Sequence, residues 1–178
     1  KNGLIYDGKG GRPFKADIAI LEEKIVSVGS IKGESKKTID ASGRIVTPGF
    51  VDIHTHYDGQ VTWDPYLRPS TYHGVTTVVM GNCGVGFSPC KPDQRDWLIG
   101  LMEGVEDIPG TALHEGIDWE WESFPEYLDA LEKKPLAIDV GTQIPHGAVR
   151  AYVMGERGIN HEEATEEEIK KMKQIVKE

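Results

Sequence analysis

Two short apolar runs, GFVDI at 49–53 and VTTVVM at 75–80, show no alternation of polar and apolar residues. A strand with one wet face alternates, so a run that stays apolar at successive positions calls for cover on both faces, as parallel strands have when helices flank them. A third such run, LAIDVGTQ, follows at 136–143. Ahead of it, SFPEYLDALEKKP has Ser123 and Glu126 spaced as a capping box, Tyr127, Leu128 and Leu131 as an apolar stripe, and Pro135 as the stop. The last stretch, TEEEIKKMKQIVKE, repeats the pattern, with Thr165 and Glu168 as the cap and Ile169, Met172, Ile175 and Val176 as the face. Strand, loop, helix, strand, helix is an α/β rhythm, and in its largest closed form a (β/α)8 barrel. A barrel takes about 250 residues, and this chain has 178. Its final helix carries no C-cap glycine. The expectation is therefore a partial (β/α)8 TIM barrel, its first strands and helices only, in a polypeptide that continues past Glu178.

A different pattern precedes Pro48-Gly49. LIYDG, then ADIAILEEKIVSVG with Ile18, Ile20, Ile25 and Val28 around a Glu22-Glu23 turn, then KTIDASGRIVTPG read as a small antiparallel sheet. Two parts are expected, 1–48 and 49–178. Residues 84–121, rich in Gly, Pro and charge, read as an excursion between a strand and its helix, with one short helix around 93–103.

With 29 acidic against 20 basic side chains the formal charge is −9, which excludes a basic face gripping phosphate backbones, so no nucleic-acid partner is expected. Two cysteines, Cys83 and Cys90, are too few for a disulfide framework and point to a reducing, cytoplasmic setting. No run approaches the roughly 18 apolar residues of a membrane span, so no membrane partner is expected.

The candidate chemistry sits where the apolar runs end. Strand positions i and i+2 face the same way, so His54 and His56 project both imidazoles from one side of a strand's C-terminal end. Two readings are open: metal ligands, or two polar residues at a strand terminus. Cys83 closes the next run among glycines, beside Asn82 and beyond the apolar residues. A thiolate there is a zinc ligand, and the alternative is a small buried hydrophobe. Cys90 reads as structural. Asp58 either orients a histidine by a hydrogen bond or is a solvated turn residue. His146 either lines a substrate pocket or is a turn residue, and Arg150 either clamps a carboxylate or makes a surface ion pair. His73, His114 and His161 read as structural.

Taken together, TPGFVDIHTHYDG, GVTTVVMGNCGVGFSPC, SFPEYLDALE and IPHGAVRAYVMG resemble the N-acyl-D-amino-acid deacylases (D-aminoacylases) of the amidohydrolase superfamily over essentially the whole chain. DIAILEEKIVSVG and IDASGRIVTPGFVD are similar to the superfamily's entry, a piece of β-sandwich leading into the first barrel strand. The resemblance implies zinc, one or two ions, with His54 and His56 at the more weakly held position and Cys83 on the tightly bound ion. It implies two further histidines on later strands and a general-base aspartate on the last strand, all outside this chain. The implied reaction is hydrolysis of the linear amide of an N-acyl-D-amino acid to the D-amino acid and a carboxylate. Implied partners are a small amide substrate and the C-terminal remainder of the enzyme. Without that remainder the chain is expected to be inactive alone, and unpaired strand edges would favour a homo-oligomer. Two alternatives stand beside this: a cyclic amidohydrolase of hydantoinase type, which typically has a carboxylated lysine where this chain offers a cysteine, and a non-catalytic half-barrel assembly module.

Overall fold

In the computed structural model, which describes residues 1–178, the N-terminal strands form a four-stranded sheet in the order β3-β2-β1-β4. Strand β1 (Gly3–Ile5) runs antiparallel to β2 (Phe14–Leu21), and β2 to β3 (Lys24–Gly29). Glu22 and Glu23 make the β2–β3 turn with φ of 49° and 66°, the left-handed conformations that match a two-residue turn to strand twist. Strand β4 (Ile45–Val46) pairs parallel to β1, which corrects the all-antiparallel expectation. The sheet is mixed because residues 30–44 cross over and bring the chain back alongside β1 in the same direction. That crossover is tied to the chain start: the Lys1 amino group donates to the Ile39 carbonyl at 2.7 Å and the Asn2 amide side chain to Asp40 at 3.0 Å.

The chain divides into two units, residues 1–49 and 50–178. In the second, β5 (Phe50–Asp52), β6 (Val75–Met80) and β7 (Asp139–Thr142) form a parallel sheet in chain order. Helices α1 (Arg95–Glu106), α2 (Gly110–Gly116) and α3 (Phe124–Glu132) lie between β6 and β7, and α4 (His146–Met154), α5 (Glu156–Ile159) and α6 (Glu166–Ile175) follow. This is an α/β architecture. Ser123 and Thr165 cap α3 and α6, each with its capping box closed by Glu126 and Glu168. Such a cap is worth about 1 kcal/mol.

Beyond β4, the structure departs from the sequence expectations at four places. Cover on both faces does not hold for β5: it is an edge strand, only 3–10 turns at Gln60–Thr62 and Ser70–His73 connect it to β6, and Phe50, Val51 and Ile53 are exposed. The excursion 84–121 is no loose loop. It supplies Phe87, Cys90, Leu98, Ile99, Met102, Leu113, Ile117 and Trp121 to the core, which packs on Val78 and Met80 of β6 and on Tyr127, Ala130 and Leu131 of α3. Helix α2 carries two glycines and buries Leu113 alone, so it lacks the apolar period that marks a helix. Helix α6 forms where expected but buries none of its residues; an ion pair from Arg157 to Glu168 at 2.6 Å holds its first turn.

Candidate metal centre

Strand β5 stops at Asp52, yet its alignment with β6 persists: the Thr55 amide and hydroxyl both donate to the Val79 carbonyl, each at 2.9 Å. Thr55 is thereby turned inward and buried. His54 and His56, one residue to either side, project the other way, with ring centroids 5.4 Å apart. On the loop that ends β6, the Cys83 sulfur lies 3.7 Å from His56 Nδ1. One donor atom from each of the three side chains falls within 4.8 Å of the others. Donors at 2.0–2.3 Å from a tetrahedral ion are about 3.4–3.6 Å apart, so closure about an ion asks for small side-chain rotations only. Partial burial, and then the neighbouring His54, hold the His56 imidazole below its ordinary pKa. The neutral ring is the form that ligates.

The loop GNCGVG is set by its glycines. Gly81 has φ of +74°, and a Cβ there would run into the carbonyl oxygen of Gln143, whose own amide donates to Met80 at 2.9 Å. A Cβ on Gly86 would come within 2.8 Å of Asp58 Oδ1 and 3.0 Å of Pro145. Asn82 donates to the Ile53 carbonyl at 3.0 Å, joining the loop to the histidine turn. Sequence reasoning missed that role, for which the only signal was its place beside Cys83.

The remaining candidates fall in several places. His146 is the first residue of α4, exposed, and packs its Cβ over Gly84, while the Gly147 amide donates to the Gly84 carbonyl at 2.8 Å. Arg150 donates to the Glu162 carbonyl at 2.6 Å instead of pairing with a carboxylate. His73 ends a 3–10 turn, His114 approaches Asp96 at 3.8 Å, and His161 has φ of 59°. Cys90 is buried, and burial pushes its thiol up to about 12. Asp58 is not a solvated turn residue, because it is 2% exposed, and its carboxylate is hydrogen-bonded to neither imidazole. Burial pushes it up to about 7, and its Oδ2 has no hydrogen-bond partner.

Glu106, at the end of α1, escaped sequence reasoning altogether. Both its carboxyl oxygens are buried without partners, and burial, with a further push from Asp58, raises it to about 8. An acid in the last turn of a helix opposes the macrodipole, which was the available signal. The unfolded chain releases this proton near 4.5, whereas the folded chain keeps it to about 8. Stability from this group is therefore complete at low pH and falls as pH rises through that window, by about 1.4 kcal/mol per pH unit for one proton. Glu106→Gln is expected to remove one proton's share of that slope and to leave the variant more stable than the parent at pH 8. Urea unfolding at pH 5, 6.5 and 8 measures it; parallel curves for the two proteins would contradict it.

The chain belongs to the amidohydrolase family, whose model matches residues 37–178. Its likeness within that family is to the D-aminoacylase branch. It is 33% identical over 177 residues to D-aminoacylase of Alcaligenes xylosoxydans xylosoxydans, covering 99% of this chain and 34% of the relative. A solved D-aminoacylase with a binuclear metal center superposes with a TM-score of 0.77 at 31% identity, over 98% of this chain and 34% of that one. The N-acyl-D-glutamate deacylase of Bordetella bronchiseptica, complexed with zinc and a phosphonate mimic of the reaction's tetrahedral intermediate, superposes with a TM-score of 0.76 at 30% identity and the same coverage. The chain thus spans about a third of the length of these relatives. No helix is long and apolar enough to cross a membrane.

Proposed function

We propose that this chain carries part of the active site of a zinc-dependent amidohydrolase that cleaves the linear amide of N-acyl-D-amino acids. The observation that carries the reading is the convergence of His54, His56 and Cys83, with donor atoms within 4.8 Å of one another. Two imidazoles and a thiolate are the donor set of a borderline-soft divalent ion and suit zinc. In this reading β5, β6 and β7 are the first strands of a (β/α)8 barrel, residues 1–48 belong to a β-sandwich, and the protein works in the cytoplasm.

When bound, zinc supplies Lewis-acid polarisation of the amide carbonyl and lowers the pKa of water toward about 7. The chain's own residues do the rest of what can be derived. His54, His56 and Cys83 would hold one ion together, where the resemblance divides them between two positions. Thr55, locked to Val79, keeps both rings on the open side of the turn. His56, held neutral, keeps a lone pair available at neutral pH. The exposed imidazole of His146, seated on the Cys83 loop, faces incoming substrate and supplies a hydrogen-bond donor or acceptor to it. No residue of this chain is assigned as the proton acceptor; the resemblance puts that aspartate on the last strand.

The test is acetate release from N-acetyl-D-amino acids, with the L-enantiomers and a hydantoin as controls, by the 178-residue chain and by the natural gene product, each with zinc added. Turnover of the D-amides by the gene product, with little or none by the chain alone, is expected. Turnover of the hydantoin alone, or none of any amide by either protein, would overturn the proposal.

A further inference from the structure

We propose that Tyr127 is a positioning residue for the His54–His56–Cys83 cluster, acting through Asp58; the inference rests on the metal-centre reading above and extends it to α3. The Tyr127 hydroxyl donates to the Asp58 backbone carbonyl at 2.9 Å, a buried bond that spans 69 residues of sequence. Asp58 follows His56 by two residues, so a fixed Asp58 carbonyl fixes the exit of the turn on which both imidazoles ride. The same residue reaches the other donor. Its Oδ1 lies against the α-carbon of Gly86, with Pro145 closing the far side, and Gly86 is three residues beyond Cys83. A shift of Asp58 would move both loops together.

Tyr127 is built to hold that position. It is 1% exposed, and its ring packs at 4.7 Å from Trp121 and 6.2 Å from Phe124. It stands in the first turn of α3, which the Ser123–Glu126 capping box anchors. The Asp58 and Glu106 carboxyls add to burial in raising the phenol well above its ordinary pKa, so the hydroxyl keeps its proton at any working pH and remains a donor. Removing it leaves the buried Asp58 carbonyl short of a partner.

The experiment compares Tyr127→Phe with Tyr152→Phe, which loses a hydrogen bond of the same kind to Glu122 on the surface. Four quantities are read on the chain: cobalt(II) affinity, its absorption spectrum, the amide exchange rate of Thr55, and stability in urea. Tyr127→Phe is expected to weaken cobalt(II) about 10- to 100-fold, the range for partners that orient ligands, and to speed Thr55 exchange about fivefold or more. Tyr152→Phe should change neither. A Tyr127→Phe protein that loses stability but keeps the parent's cobalt(II) affinity, spectrum and Thr55 exchange would overturn the proposal and leave Tyr127 a core residue only. If the parent chain binds no cobalt(II), the metal-centre reading fails by itself. Thr55 exchange then decides on Tyr127: faster exchange supports the positioning role and an unchanged rate refutes it.

Discussion

Gly81→Ala is expected to destabilise the chain by about 2–5 kcal/mol. Two costs add. A side chain at φ of +74° leaves the conformations that L-residues favour, at about 1–2 kcal/mol. The new methyl would also meet the Gln143 carbonyl, and overpacking of this kind costs about 1–3 kcal/mol. The neighbour is backbone, held by its own amide bond to Met80 at 2.9 Å, so it cannot step aside as a flexible side chain would. The damage should fall where β6 and β7 end. Urea unfolding gives the size of the loss, and a difference below about 0.5 kcal/mol, the ordinary surface range, would show that the close approach is not real.

How much of this was readable beforehand depends on how local the determinants are. The two-residue period of an extended chain puts His54 and His56 on one side of the backbone, and their rings do lie side by side. The caps of α3 and α6 are equally local, a Ser or Thr three residues before a Glu. What escaped was set by tertiary partners. That β4 runs parallel to β1 depends on a crossover whose residues carry no directional signal. The core in 84–121 was hidden because its apolar residues are scattered among Gly and Pro that read as loop. The burial of Asp58 follows from Tyr127 and Gly86, neither near it in sequence, lying against it. The Asp58 carbonyl meets Tyr127 only because α3 folds back across 69 residues.

The second large effect is chemical. Cys83→Ser is expected to lower cobalt(II) affinity by more than about 100-fold, beyond the 10- to 100-fold cost of losing a residue that merely orients a ligand, and to erase the thiolate-to-cobalt charge-transfer band. His56→Ala should weaken binding yet keep the band. Cys83 is exposed, so the metal-free serine variant should stay within about 0.5 kcal/mol of the parent. Loss of metal without loss of fold separates a ligand from a packing residue. Because the His56 imidazole is held below its ordinary pKa, protons compete with the ion only at a lower pH than for an ordinary histidine. Binding should therefore persist further into acid. Equal cobalt(II) affinity in the parent and Cys83→Ser would remove the thiolate from the centre.

Beside the Asn82 tie, the loop that presents Cys83 touches its surroundings through α-carbons: Gly81 against a carbonyl, Gly84 under His146, Gly86 between Asp58 and Pro145. Such contacts have no rotamers to freeze, so apart from the Asn82 side chain the thiol is aimed by main-chain shape. Mutational freedom is divided accordingly. Gly81 and Gly86 leave no room for a Cβ and Gly84 holds a φ of +89° that disfavours one, whereas the exposed His146 side chain can be exchanged with its backbone unmoved. On the proposed function, substrate preference would drift across this surface while the donors beneath it stay put.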